Sequence, residues 1–263
     1  MTSGAGMIRR FGETDITNRI LLSLPQATWE RMEARLEPVD LEQGKTIFLT
    51  AAPVKRLYFI NRGLVSLVKN MEDGRSVEIG ATGIEGIAGL GALYGIESAI
   101  LDSIVQIKGN AFRIEAEVLR GELSRNKAFR EFLQRSHYIA LSQFAQTAAC
   151  NRLHSLRKRC CHWLLIAHDS ACSNSFAITH EFLALMLGVQ RVRVSIMANT
   201  LQKAGIIRYE RGRITIVSRS ALEHSACECY RTIRTQLDQL FSAPTVMTRA
   251  RSEQASSTIS TSE

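Results

Sequence analysis

The hydrophobic period of this chain changes once, near residue 126, and that change limits the folds open to it. Ahead of it, from about residue 38, short apolar runs alternate with turn signals. The runs are Thr46–Leu49, Leu57–Ile60, Leu64–Lys69, Ser76–Gly80 and Ser103–Lys108; the turn signals include Pro53, Asn61-Arg62-Gly63 and Asp73-Gly74. Strands at this spacing, with Asp73-Gly74 as a hairpin turn, predict an all-β barrel or roll. From Asn126 onward Phe129, Phe132, Leu133, Ile139, Ala140, Phe144 and Ala148 recur at three- and four-residue steps, with neither Gly nor Pro among them. That is the pattern of one long helix.

The helix is apolar on two faces, the second marked by Leu133, His137, Leu141, Phe144 and Ala148. Two apolar faces need two partners. One is the roll. The other is either the rest of the same chain or the same helix of a second copy, packed as a two-stranded coiled coil. The dimer reading places Phe132, Ile139 and Phe144 near the seam. The domain boundaries follow from the same patterns. A flexible start covers 1–19, the roll 20–125 (entered through a helical stretch broken at Pro25) and the long helix 126–150. A third module covers 151–219, a last helix 220–241, and a Ser/Thr/Ala-rich disordered tail 242–263.

The third module carries the charge. The chain has a formal net charge of +8, yet residues 1–150 net only +1 and residues 220–263 net −1, so residues 151–219 hold +8 themselves. A basic module beside a neutral one is the electrostatic footprint of nucleic-acid binding; a solvated basic surface is the alternative. No apolar run approaches the ~18 residues that cross a bilayer. The opening residues lack the apolar segment of a signal peptide, so the expected address is the cytoplasm.

All six histidines and all six cysteines fall after residue 136. The roll alone therefore has no imidazole or thiol for a metal, a haem or a His-based catalytic set. A cupin-type enzyme, which needs several His on its strands, is the weakest alternative. Cys160 lies on the inward stripe of a helix at 152–168 and reads as a core thiol. Cys227 and Cys229, two apart on one helix, point in different directions. No metal and no cofactor are expected, and His154 and His168 are expected at the surface.

Residues 179–207 have the layout of a helix-turn-helix. Thr179 is a helix cap. Phe182, Leu183, Met186 and Leu187 form an inner face, with small Ala184 allowing close approach. Gly188 supplies the left-handed residue that ends the first helix, and Val189 pins the turn. Val194, Met197 and Leu201 continue the inward stripe on the second helix. That leaves Gln190, Arg191, Arg193, Ser195, Ile196 and Asn199 on the side a recognition helix presents to the major groove. Gly205 stops the helix, and two short strands around Glu210-Arg211-Gly212 form a wing. Thr179, His180, Lys203, Arg211 and Arg213 are candidates for the DNA backbone.

The order of β-roll, long helix and winged helix-turn-helix, an α+β architecture with a jelly-roll-like first half, resembles the Crp/Fnr family of bacterial transcription regulators. The likeness is carried by Leu156–Arg159 with Trp163, by Thr179 through Leu187–Arg191, and by Leu201–Tyr209 with Gly212–Ile216. It implies that Arg191 reads guanine through a bidentate contact. Val192 stands where an acidic residue is common and Ile196 where a further arginine is, so the operator departs from the familiar one and these two side chains meet thymine methyls. Relatives that bind cyclic nucleotides carry a Gly-Glu pair and a downstream Arg for the phosphate. Here Ala88 takes the place of that Glu, and no Arg or Lys occurs between Arg75 and Lys108. The resemblance thus argues against cyclic AMP. It also argues against an iron–sulfur cluster, because the N-terminal cysteine set is missing. Gly83, Gly86, Gly89, Gly91 and Gly95 line a pocket or serve tight turns, the turns being favoured. The implied protein is a homodimeric, non-enzymatic regulator that binds double-stranded DNA, with an unidentified effector and RNA polymerase as a further partner. The alternative is a protein-interaction module without DNA binding.

Overall fold

The computed structural model describes residues 9–242, so all but the first residue of the expected tail at 242–263, and the first eight residues of the expected flexible start, lie outside the described residues. The chain opens with β1 (Arg10–Phe11) and β2 (Thr14–Asp15), then α1 (Arg19–Leu22) and α2 (Gln26–Glu33). Residues 9–19 are not a loose end: Arg9 is buried, with its guanidinium donating to the carbonyls of Leu21 and Leu24, and Ile16 joins the core. Thr17 N–H donates to Asn61 Oδ1 at 2.7 Å, tying the segment to the roll.

The roll consists of β3 (Glu37–Leu41), β4 (Thr46–Phe48), β5 (Arg56–Asn70), β6 (Ser76–Thr82), β7 (Ile87–Ala88) and β8 (Asp102–Glu115), with a 3-10 turn at Leu90–Tyr94. These form one antiparallel sheet in the order β3-β8-β5-β6, with β4 on β8 and β7 on β5. Asn61-Arg62-Gly63 is not the turn its composition suggests. It is a bulged stretch inside one long strand, where the β5–β8 register slips repeatedly between Ile60 and Val65. Gly63, at φ 95°, and Gly109 let the two backbones touch: a Cβ on either would run into the carbonyl of Ile107 or Arg62. Bulges bend and twist a ribbon, so one strand pair serves both ends of the roll.

Helix α3 (Ala116–Arg125) follows where the sequence suggested only the end of the roll, and α4 (Lys127–Leu153) is the long helix, ending three residues later than expected. The Asn126 side chain caps α4 by accepting from Phe129 N–H. Then come α5 (Leu156–Ala171), β9 (Ser175–Ala177, within the expected loop 170–177), α6 (His180–Leu187), α7 (Arg191–Lys203), β10 (Ile207–Glu210) and β11 (Arg213–Ile216). The expected helix at 220–241 is two helices, α8 (Arg219–Ser225) and α9 (Glu228–Ser242), because Ala226 is extended at ψ 168°. Leu153 is the exposed last residue of α4.

Two apolar cores hold the chain. The first packs Trp29, Met32, Phe59 and Phe112 against Phe129, Phe132 and Leu133 of α4. The second joins Leu64, Val68 and Ile107 of the roll to Leu164, Leu183, Leu201 and Ile214, so the C-terminal module and the roll share one interior. Helix α9 runs along α4, with the Phe132 and Phe241 rings 5.8 Å apart and Ser142 bonded to Gln236 at 3.2 Å.

The three proposed seam residues of α4 therefore require correction. Phe132 is buried in the first core, Ile139 packs on its edge, and Phe144 presses on Gly80 of β6. The face of α4 left open carries Tyr138 and Leu141, 73% and 62% exposed, followed by exposed Ala145 and Ala148.

Glu78, on β6, is buried where the roll meets α5. Trp163 Nε1–H donates to its Oε1 at 3.1 Å and Ser66 bonds its other oxygen. Burial pushes this carboxyl up from the ordinary 4.5 to about 7, although both hydrogen bonds pull it down. The folded chain thus keeps a proton that the unfolded chain releases, and stability falls as pH rises through the window from about 4.5 to 7. Glu78→Gln keeps an acceptor for Trp163 without the charge. Denaturant unfolding across pH 5–8 should show it gaining on the wild type as pH rises, by on the order of 3 kcal/mol at most. A constant difference across that range would contradict the assignment.

Candidate nucleic-acid interface

Helices α6 and α7 form the helix-turn-helix. Thr179 caps α6, accepting from Phe182 N–H at 3.2 Å. Gly188 ends it at φ 62° and Val189 N–H returns to Ala184 O at 3.0 Å, the C-terminal arrangement for which glycine is suited. Arg159 of α5 donates to the Leu187 carbonyl and, through Nε, to Asn151 of α4 at 3.1 Å. It satisfies an end carbonyl of α6 and fixes the motif to the end of the long helix.

Val194, Met197, Ala198 and Leu201 face the second core. Gln190, Arg191, Arg193 and Asn199 are exposed on the other side, together with Val192 and Ile196 at 66% and 63%. Arg191 Nε lies 2.8 Å from Glu181 Oε1 on the first turn of α6. Both groups are exposed, so the pair orients the guanidinium more than it adds stability.

Two residues take other roles than expected. Ser195 is half-buried and accepts or donates to His180 Nδ1 at 2.9 Å, so it faces the inside edge of the motif rather than a groove. His180 stacks on Tyr209 of β10, with centroids 4.2 Å apart and planes at 19°. It is a strut between α6, α7 and the wing, not a free phosphate donor. Burial, then the neighbouring Arg191 charge, hold its pKa below the ordinary value, which keeps the ring neutral and suited to stacking. Gln202 Oε1 accepts from Tyr209 N–H at 2.7 Å and adds a second tie to the wing.

The wing is a three-stranded sheet in the order β10-β11-β9. Glu210 pairs with Arg213, which leaves Arg211 and Gly212 as a two-residue turn at φ 48° and φ 75°. Two left-handed residues in sequence make the turn that matches strand twist. Arginine is an unfavoured occupant there, at a cost of roughly 1–2 kcal/mol. A charged side chain held at an exposed tip against that cost points to a contact the tip makes. Arg213, Lys203 and Thr179 are exposed nearby. Arg208, exposed on β10, was missed; as one of several arginines in the wing it carried no distinguishing signal.

Between the roll and α4 lies a cavity of about 210 Å³, lined by Leu67, Ile87, Leu90, Ile100, Phe144 and Gln143 among others, with no charged side chain on its wall. Gly89, at φ 92°, and Gly91 border it. Gly89 is thus both a turn residue and a pocket wall, whereas Gly95, at φ 78°, serves a turn alone.

Residues 158–225 match the family model of the Crp-like helix-turn-helix domain. The chain carries a Crp-like helix-turn-helix domain. Its fold is that of the Crp/Fnr regulators. A protein from Eubacterium rectale assigned to that family aligns with TM-score 0.59 and 19% identity over 79% of this chain and 95% of its own. FixK2 from Bradyrhizobium japonicum gives 0.59 and 16% over 73% and 98%. A CRP-family transcriptional regulator from Thermus thermophilus gives 0.56 and 22% over 72% and 96%. Among curated proteins, none matches this sequence. The roll ahead of this Crp-like helix-turn-helix domain completes the fold seen in those regulators.

Base and backbone contacts should fail differently. Arg191→Ala should cost about 1–3 kcal/mol on a preferred site and flatten the preference at one base per half-site. Arg211→Gly should weaken all sequences alike and lower the salt slope by about one per chain, while the relieved turn makes the fold no less stable. Binding of both variants to preferred and scrambled DNA over a salt series separates the two. Equal losses for Arg191→Ala on both DNAs would make it a backbone contact.

Proposed function

We propose that this protein regulates transcription in the cytoplasm as a homodimer, seating one α7 in each of two successive major grooves and resting each β10–β11 hairpin on the backbone. The observation that carries this reading is the outward face of α7. Arg191, Val192, Arg193, Ile196 and Asn199 stand clear of the chain's interior, in the module that holds the whole positive excess. Exposed Val192 and Ile196 suit thymine methyls. An interaction module without DNA binding does not account for the positive excess. The chain works by binding, not as an enzyme, and RNA polymerase is the partner through which a regulator of this kind acts.

The dimer reading rests on a different face than the sequence suggested. Tyr138, Leu141, Ala145 and Ala148 follow one another at steps of three, four and three, the spacing of a two-stranded coiled-coil seam. A parallel pair of α4 helices would set the two α7 helices about 34 Å apart, one turn of DNA. Leu141→Asp puts a charge at the centre of that seam while leaving both cores untouched. Sedimentation at micromolar concentration should find the wild type dimeric and the variant monomeric, with DNA affinity reduced at least tenfold. A wild type that is monomeric with and without DNA would overturn the dimer.

The cavity beside α4 offers no cation to a cyclic phosphate, whose buried charge would then lack its partner. Cyclic AMP and cyclic GMP are therefore not its effectors. Neither nucleotide at millimolar concentration should raise the melting temperature, whereas a ligand at a hundredfold excess over its Kd stabilises by about 2.7 kcal/mol. A reproducible rise of several degrees with either would contradict this.

A further inference from the structure

Cysteine and histidine side chains from two distant stretches meet where the long helix ends. Cys150 is in the last turn of α4 and His154 is the residue that ends it. Cys227 sits in the break between α8 and α9, and Cys229 lies in the first turn of α9. The break corrects the expectation that Cys227 and Cys229 diverge: that holds within one helix, but Cys227 lies outside it. His154 is correspondingly not a surface residue; 15% of its side chain is exposed.

The three thiols are buried and form a group of their own, part of neither apolar core. Cys150 Sγ lies 3.5 Å from Cys227 Sγ, and Cys229 Sγ lies 3.5 Å from His154 Nδ1. All four donor atoms fall within 4.8 Å of one another. The edges of a tetrahedral zinc site with sulfur at ~2.3 Å and nitrogen at ~2.0 Å are about 3.5–3.8 Å, so the two measured pairs already stand at coordination distance. Thiols are weak hydrogen-bond donors, and gathering three of them beside an imidazole recovers little by hydrogen bonding alone.

The surroundings complete the pattern. His154 Nε2 is 3.2 Å from Glu228 Oε1, so the ring directs Nδ1 at the sulfurs while a carboxylate holds its other nitrogen. This is the outer arrangement typical of a metal-bound imidazole. Gln146 Nε2–H donates to Cys229 Sγ at 3.0 Å, a contact that favours a thiolate. His162 Nδ1 stands further off, 3.7 Å and 3.8 Å from Cys150 and Cys227, as a neighbour of the set.

We propose that Cys150, His154, Cys227 and Cys229 form a tetrahedral site for a thiophilic divalent metal ion of the zinc class, which fastens the start of α9 to the end of α4. The ion ties the joint at His154-Ser155, where the long helix hands over to the C-terminal module, to the break at Ala226-Cys227. The site stands independently of how the protein meets DNA.

The test uses the full chain, kept reduced, stripped with a chelator and titrated with Co²⁺ and then Zn²⁺. We expect one Co²⁺ per chain, with ligand-field bands of tetrahedral intensity and sulfur-to-cobalt charge transfer, both removed when Zn²⁺ displaces it. Cys229→Ser should diminish the charge-transfer band and weaken binding at least a hundredfold, and His154→Ala should weaken it likewise. Glu228→Gln should weaken it by roughly tenfold to a hundredfold. Cys172→Ser, which alters an exposed thiol outside the set, should bind as the wild type does. Should Cys229→Ser fail to fold, the wild-type spectrum and the Glu228→Gln affinity decide. No stoichiometric complex in the reduced wild type, a spectrum of octahedral type, or binding that survives Cys229→Ser would each overturn the proposal. Loss on His162→Ala but not on His154→Ala would overturn the ligand set.

Discussion

A helix of 27 residues that is apolar on more than one face cannot be satisfied by a single neighbour, and most of this architecture answers to that constraint. Phe129, Phe132 and Leu133 of α4 enter the core of the roll. The α9 helix covers a second strip, through Phe241 on Phe132 and Gln236 on Ser142. Arg19 reinforces that cover from the roll, lying over the Phe241 ring at 4.2 Å and bonding Asp238 at 3.1 Å. What remains is the narrow stripe of Tyr138, Leu141, Ala145 and Ala148. Its spacing suits one more helix, the second α4 of the proposed dimer.

The same helix determines where the DNA-binding half sits. Only His154 and Ser155 separate α4 from α5, and the Ser155 side chain begins the next helix by capping it. A joint this short would still swing were the module not held elsewhere. It is held by the shared core, by the Trp163 bond to buried Glu78, and by Gln43 Nε2, which donates to Gln106 O and Ala177 O, both at 2.9 Å. These contacts lie behind the motif, so they fix its orientation and leave the outward face of α7 open. The Glu78 carboxyl, pushed up to about 7 by burial, makes this contact set sensitive to pH near neutrality.

Much of this was legible because period and turn chemistry are local. The helix-turn-helix could be read residue by residue, since Thr179, Gly188 and the Val194–Met197–Leu201 stripe each do a job that the spacing itself defines. The two arms of β5 were legible as strands but not as one strand, because a Gly-containing bulge and a Gly-containing turn look alike until the partner strand is known. The break at Ala226-Cys227 carries neither Gly nor Pro, so nothing local announced it, and the meeting of Cys227 and Cys229 with Cys150 was hidden with it. The orientation of α4 failed for another reason. Its aromatic residues are its most apolar, and composition favours them for any interface. The structure spends them on its own interior and leaves Tyr138, Leu141 and two alanines outside. Ser195 and His180 were misread because a helix face is wider than the strip that reaches a groove, and only packing shows which edge turns inward.

We propose that two copies of this chain read DNA through α7 across one helical turn. Selection of bound sequences from random double-stranded DNA, with the purified full-length protein, tests it most directly. The account predicts an enriched inverted repeat with half-site centres about 10 base pairs apart, a guanine within each half-site where Arg191 reaches, and thymines beside it where Val192 and Ile196 reach. Enrichment of a single, unrepeated half-site would contradict the two-fold arrangement, and recovery of random sequence at every salt concentration would contradict base reading by α7 altogether.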